Sequence, residues 1–350
     1  MPVDVPTDQP GTEPPTPCHL RRHIQTTPRS WLPRVVAAAA WVVIAALLVV
    51  VVMRLVAWDT YQPFAVLNSV TMFVYLPAWI IVGAAIVGRR PLLAVAALVV
   101  IAAQIAFLEP ELGGAQPVPS WTVGAPAFRL FDANVYAGNP SMSGYTRQLI
   151  ARRPDLVTLE EANPTDVAQL QRDGALAGLP YRIELNRRDP TALLIASRYP
   201  LAHSNAIYAF GRPLIVQTTV TLPSGAFDLW VVHTIAPLPS SFPEWTSQLA
   251  TIDHYLRLRG THRLLVVGDL NATWGNRGFR KLLDSGLSDS AAVRGQALDM
   301  TWSQLEWVIP PLVRIDHALT GPGIAVTGIT TAPGSGSDHR ALAATVAVRR

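Results

Sequence analysis

The chain has 350 residues, 50% of them hydrophobic, with a mean hydropathy of +0.27 and a formal net charge of +4. Its single cysteine, Cys18, excludes an intrachain disulfide and a cysteine-ligated metal site, and the near balance of acidic and basic residues beyond Pro126 gives no case for nucleic-acid binding by bulk charge. So high a hydropathy points instead to a membrane-embedded part joined to a soluble one.

Residues 1–34 are rich in proline and poor in apolar side chains, which predicts a disordered tail. Residues 35–108 then carry three apolar runs. The first, Val35 to Ala57, is broken only by Arg54, and about 20 such residues cross a bilayer core as a helix. A secretory signal peptide is the rival reading, but the run is too long and no small-residue cleavage pattern follows it. Phe64 to Gly88 is the expected second span, kinked at Pro77, with Asn68, Ser69 and Thr71 turned to neighbours or to the interface. Leu92 to Leu108, containing Gln104, is the third. Arg21, Arg22, Arg29 and Arg34 precede the first run, and Arg89 and Arg90 separate the second from the third. The positive-inside rule therefore puts the tail in the cytoplasm, and three crossings put everything after Leu108 outside it. Residues 109–125, rich in Pro and Gly, are expected to be a linker holding the remainder off the membrane.

Residues 126–350 have a different texture, short apolar runs separated by Gly, Pro, Asp and Asn. This predicts an α+β domain built around sheets. Strands are expected at 128–134, 156–159, 192–196, 214–222, 226–233, 263–267, 314–319 and 341–348, and helices at 143–152, 166–176, 243–259 and 276–285. The stretch VQTTVTLPSGAFDLWVVH reads as a hairpin.

Polar residues recur at the ends of these strands. Asn134 closes the first and Glu161 follows LVTLE; His233 closes LWVVH, and Asp269 and Asn271 leave LLVVGDLN two residues apart, pointing the same way if the chain is extended there. Gly268 lets that chain turn as it leaves the sheet. Asp316 and His317 end VRIDH, and Asp338 and His339 precede the last strand. Each is ordinary alone. Together, hard oxygen ligands at Glu161, Asn134 and Asp338 suit Mg²⁺ or Mn²⁺ rather than zinc, His233 and His339 offer an acid and a base, and no serine or cysteine sits in a nucleophile elbow. Water is then the nucleophile, in a metal-assisted hydrolysis of a phosphate ester.

ANVYAG, DLVTLEEANP, ASRYP, His233, GDLNAT, IDH and SDHR occur in the order of the endonuclease/exonuclease/phosphatase superfamily, whose members residues 126–350 resemble. The resemblance implies a four-layer α/β/β/α sandwich of two packed mixed sheets, here preceded by three transmembrane helices as in some membrane-anchored bacterial members. It also implies a divalent-metal phosphodiesterase site at one end of the sheets. Glu161 would hold the metal with help from Asn134, and Asp338 would support that side. Asp269 would orient or activate water, and Asn271 would contact the phosphate. His339, paired with Asp316, would act on the phosphate or as base, and His233 would help the leaving oxygen depart. Asp132 and Glu160 stand where relatives often carry Thr or Ser and Gln. Of the two adjacent glutamates, Glu161 is taken as the ligand because it lies one step nearer the loop.

The expected partners are a phosphate-ester substrate, whether nucleic acid, phospholipid head group or small phosphodiester, and a lipid bilayer through residues 35–108. Membrane tethering favours lipid and the usual substrates of the superfamily favour nucleic acid; no membrane-dipping hairpin and no basic, aromatic-interleaved arm is evident, so neither is preferred. The competing class is a catalytically silent, membrane-anchored binding or scaffold protein with the same fold.

Overall fold

The computed structural model describes residues 1, 3, 31–223, 225–303 and 310–350, so all but a few residues of the expected disordered tail lie outside the described residues. The apolar region folds as α1 (Leu32–Val56), α2 (Gln62–Ser69), α3 (Thr71–Val74), α4 (Leu76–Val87) and α5 (Pro91–Leu112). Helices α1 and α5 are long and apolar enough to cross a membrane, with mean hydropathies of 3.1 and 2.5. Their exteriors stay apolar and exposed, as at Val42 and Leu92, which is consistent with membrane anchoring.

The expected second span is not one helix. The chain breaks after Ser69 and turns by 84° before α3 and α4 continue, and Pro77 opens α4 instead of kinking a longer helix. The break persists because the carbonyls it frees find other donors. Thr71 Oγ1 donates to Asn68 O at 2.5 Å, Gln104 Nε2 to Met72 O at 2.8 Å, and Asn276 Nδ2, from the far domain, to Ala65 O at 3.1 Å. The linker expectation also needs correction. Helix α5 runs on to Leu112, and the second domain is packed against the bundle instead of being held away: Trp58 Nε1 donates to Gly275 O at 2.7 Å and Arg280 to Phe107 O at 3.0 Å.

The second domain contains β1 (Ala127–Asn134), α6 (Ser143–Arg152), β2 (Leu156–Glu160), α7 (Pro164–Arg172), β3 (Tyr181–Leu185), β4 (Leu193–Ser197), β5 (Leu201–Ala209), β6 (Arg212–Leu222) and β7 (Gly225–Val232). It continues with α8 (Phe242–Arg259), β8 (Leu264–Asp269), α9 (Arg277–Asp284), β9 (Ser288–Asp289), α10 (Ser290–Val293), β10 (Asp316–Thr320), β11 (Ile324–Ala332) and β12 (Ala341–Val348). Two six-stranded mixed sheets result, in the orders β11-β12-β1-β2-β4-β3 and β5-β6-β7-β8-β10-β9. Leu130, Leu156, Ile195, Leu229, Val231 and Val267 fill the space between them. Helices α6 and α7 cover one sheet through Leu149, Val167 and Leu170, and α8 and α9 cover the other through Leu249, Ile252 and Phe279. This is the α/β/β/α sandwich the sequence led us to expect.

Each sheet has one parallel pair near its middle, β1 with β2 and β7 with β8, joined by the crossover helices α6 and α8. Parallel strands end on the same edge, so Asn134, Glu160, Val232 and Asp269 arrive together. Strands β10 and β12 run antiparallel to β8 and β1, so their beginnings lie on that edge too. The topology thus gathers four strand ends and two strand starts, which is where the polar residues of the sequence stand.

Candidate active site

Asn134 is the last residue of β1 and is 1% exposed. Its Nδ2 donates to Glu161 Oε1 at 3.1 Å and to Asp269 Oδ2 at 3.2 Å, tying one sheet to the other. Glu161 follows β2 in the left-handed region at φ 58°, an uncommon conformation for glutamate. Its Oε2 accepts from Ala137 N at 2.8 Å. His233, one residue beyond β7, places Nε2 3.7 Å from Glu161 Oε1 and 3.8 Å from Asp269 Oδ2. Two carboxylates and an imidazole therefore face one point.

Asp269 closes β8 and accepts from Asn271 N at 2.7 Å and Nδ2 at 3.1 Å. Asn271 has φ 45°, so the two side chains meet through a turn in which the aspartate caps the backbone, not through the extended alternation expected. Gly268 is not the turn residue either. It lies inside β8 opposite His317 at φ 122°, and a Cβ there would stand 2.2 Å from Val232 O. Only glycine allows β7 and β8 to approach so closely at the site.

Asp316 opens β10 directly opposite Asp269, and both its oxygens meet His339 Nδ1 at 3.0 and 3.1 Å. His339 Nε2 then points 3.8 Å from Asp269 Oδ2. Asp338 is more exposed, accepts from Trp302 Nε1 at 3.0 Å and stands 4.0 Å from His339 Nε2. It shares the cavity, of about 410 Å³, with Glu161, His233, Asp269, Asn271 and His339, and its contacts there are with Trp302 and His339. His317 faces the outer layer, with Nε2 3.0 Å from Ala272 O, and takes no part.

Burial controls the charges here. It lifts Asp269 to about 8 against the opposing pull of His339. For His339 burial opposes the charge, but Asp316 and Asp269 outweigh it and push the imidazole up to about 10. Asp316 is likewise penalised by burial yet ends below the usual carboxylate range because His339 sits against it. His233 is lowered, burial prevailing over the attraction of Glu161. The site thus holds a charged His339–Asp316 pair beside an imidazole that favours its neutral form.

Sequence reasoning did not foresee what lies beneath. Asp132 is fully buried and accepts from Thr158 Oγ1 at 2.5 Å, and Glu160, one residue before Glu161, is also fully buried. Burial raises Asp132 to about 7, and burial with the charge of Asp132 raises Glu160 well above the carboxylate range. The alternation of β2 was the available signal: Leu156 faces the sheet interface and Val157 and Leu159 the helices, so Glu160 must face inward with Leu156.

A divalent cation fits the donor set. Glu161 and Asp269 converge with only the Asn134 amide and a neutral-favouring His233 between them, and hard oxygens prefer a hard ion. Asp269, Asp316 and His339 also lie within 4.8 Å of one another, but His339 already neutralises Asp316 in that trio.

No curated protein sequence matches this chain. Among solved structures, TDP2 from D. rerio humanised by 14 mutations superposes with a TM-score of 0.53 at 18% identity, covering 63% of this chain and 98% of that one. D. rerio TDP2 complexed with a single-strand DNA product gives 0.52 at 17% identity, over the same shares of both chains. A variant of the 3′ phosphatase NExo from Neisseria, bound to a product DNA hairpin, gives 0.51 at 17% identity, covering 62% of this chain and 98% of that one. These likenesses concern the fold. The endonuclease/exonuclease/phosphatase family model matches residues 133–339, spanning every polar strand end described above from just before Asn134 to His339, and this chain belongs to that family of divalent-metal-dependent phosphoric ester hydrolases.

Proposed function

We propose that this protein is a membrane-anchored, Mg²⁺- or Mn²⁺-dependent phosphodiesterase acting outside the cytoplasm. The observation that carries the catalytic reading is the convergence of Glu161 and Asp269 on one Asn134 amide, with His233 3.7 and 3.8 Å away. Glu161 would hold the ion, with Asp338 in the same cavity; Asn134, whose Nδ2 donates to both Glu161 and Asp269 while its Oδ1 accepts from Tyr136 N, would orient the two carboxylates instead of ligating, and the ion would neutralise charge developing on the phosphoryl oxygens. Asn271 fixes the rotamer of Asp269, and the positive charge of a bound ion would favour the ionised form of that buried carboxyl, which then accepts a proton from the attacking water as the water oxygen bonds to phosphorus. The charged His339, held by Asp316, stabilises the phosphorane oxygens. The P–O bond to the leaving alcohol breaks as His233 hydrogen-bonds the departing oxygen, which takes its proton from solvent. One water is consumed, and a phosphomonoester and an alcohol are released.

The anchoring reading rests on α1 and α5 and on how charge is distributed along the bundle. Arg90 donates to Pro33 O at 2.9 Å at the end near Arg34 and Arg89, while Trp58 and Phe107 touch the catalytic domain at the other end. The positive-inside rule then puts the domain outside. An alkaline phosphatase fusion at the C-terminus should be active and one after Arg90 inactive; the reverse would overturn the orientation.

For the chemistry, the full chain in detergent should hydrolyse bis-p-nitrophenyl phosphate. EDTA should abolish the activity and Mg²⁺ or Mn²⁺ restore it. Absence of metal-dependent turnover would favour the silent scaffold.

A further inference from the structure

Segments that wall the catalytic cavity continue directly into contacts with the outer end of the helical bundle. Ile235 and Ala236 line the cavity, and the next residue, Pro237, accepts from Gln62 Nε2 at 3.1 Å. Asn271 lines it, and four residues on Gly275 lies so close to α2 that a Cβ would stand 1.8 Å from Asn68 O. Trp302 lines it too, while Met300, Leu312 and Val313 form a crevice with Val70, Thr71 and Phe73 at the helix break. The bend of 84° between α2 and the helices after it lays α2 across the direction of the spans. Trp58 and the exposed Tyr61 lie in the connection between α1 and α2, and aromatic side chains of this kind settle at a bilayer surface.

The mouth is also apolar where it is free. Leu238 follows Pro237 and is 59% exposed, and the β5–β6 turn presents Tyr208 and Phe210, 56% and 61% exposed. Phe210 is held at φ 53° with Gly211 at 74°, the two left-handed residues of a tight hairpin turn, a conformation Asn or Gly would adopt at less cost. Two residues further, Arg212 is exposed and lines the cavity. Apolar side chains beside the catalytic cavity, with an arginine at its wall, match the layered chemistry of a bilayer surface, acyl chain below and phosphate above.

We propose that the ester this site opens is that of a phospholipid in the leaflet on which the domain sits, with Phe210 and Leu238 entering the apolar layer and Arg212 meeting the phosphate. The proposal rests on the metal-dependent hydrolysis argued above. Water adds to phosphorus, one of the two P–O ester bonds opens, and a phosphomonoester and an alcohol leave. Reconstitution of the full chain into vesicles of equal parts phosphatidylcholine and phosphatidylglycerol with Mg²⁺, followed by ³¹P NMR, should show phosphodiester converted to phosphomonoester. Changing Phe210→Ser together with Leu238→Ser should lower the ratio of this rate to the bis-p-nitrophenyl phosphate rate at least about tenfold, equivalent to about 1.4 kcal/mol. An unchanged ratio would overturn the lipid-contact role of the rim. Normal turnover of bis-p-nitrophenyl phosphate or of a single-stranded DNA oligonucleotide with the phospholipid untouched would overturn the lipid proposal alone. Loss of metal-dependent turnover on every ester would instead overturn the hydrolase reading beneath it.

Discussion

The bundle and the sandwich both bury charge, and the contrast between them separates structure from chemistry. Arg54, 3% exposed, donates to Asn68 at 3.3 Å and Thr71 at 2.7 Å and lies over the Phe107 ring at 4.4 Å. Gln104 donates to Met72 O and accepts from Trp79 Nε1 at 2.8 Å. This polar set ties α1, α4 and α5 to the helix break and fixes how the helices meet. Between the sheets, Asp132, Glu160, Asp269 and Asp316 are all buried, against the histidines His233 and His339. Burying that excess of acid costs folding free energy, and it suits a site that handles a cation or a reacting phosphate.

The contrast would break first at the Asp316–His339 pair. His339→Ala should lower kcat/KM on bis-p-nitrophenyl phosphate about 10²–10⁴-fold, and adding Asp316→Asn should make it scarcely worse, because the carboxylate serves a ring already removed. A double loss equal to the product of the single losses would refute the pairing. Next, Glu161→Gln should weaken Mg²⁺ binding at least about 100-fold, more than a residue behind a ligand would cost, while the fold survives. Calorimetric titration of the full chain in detergent checks it, and unchanged binding would move the ion to Glu160 or Asp269. Gly268→Ala, with its Cβ against Val232 O, should destabilise the domain by about 1–3 kcal/mol in thermal melts. Arg54→Met should cost a similar or smaller amount, about 1–3 kcal/mol from orphaned polar partners, with kcat/KM on the soluble ester retained. A lost rate there would mean that the bundle's polar set is part of the chemistry.

The smallest effect is a change in pH dependence. Asp132 has a folded value of about 7 against an ordinary 3.8, so the native state holds an extra proton between those values. Its contribution to stability is fully present below 3.8 and is lost as pH rises through 7. Thermal melts in EDTA should therefore show stability falling from pH 5 to pH 8, and Asp132→Asn, which cannot ionise, should flatten that slope. An unaltered slope would show that Asp132 does not hold the proton.

The strands most readable from sequence were apolar runs with a polar residue at one end. β1, β2, β8 and β12 are apolar runs ending in Asn, Glu or Asp or preceded by Asp-His, and α6 occupies the residues expected of it. Strand β5 was not foreseen because its pairing with β6 shifts between Ala202 and Asn205 and again between Ile207 and Tyr208, so LAHSNAIYA never settles into a two-residue period. The pairing of β11 shifts between Val326 and Gly328 for the same reason. In the apolar run from Phe64 to Gly88 the break falls at Asn68, Ser69 and Thr71, polar residues read as packing contacts, since hydropathy records what a segment can bury and not where its carbonyls find donors.

By itself the sequence determined the two-part organisation, the α+β class and the chemical types at the strand ends, because composition, period and termination are properties of neighbours along the chain. The alternation of β2 could have placed Glu160 between the sheets, but the tertiary structure decided the positive φ that swings Glu161 into the cavity. It also decided that Asn134 bridges residues 27 and 135 positions away, and that Pro237 rests on Gln62 across 175. Such contacts depend on where independent segments come to lie after the apolar faces of both sheets have been buried, and no local pattern encodes that position.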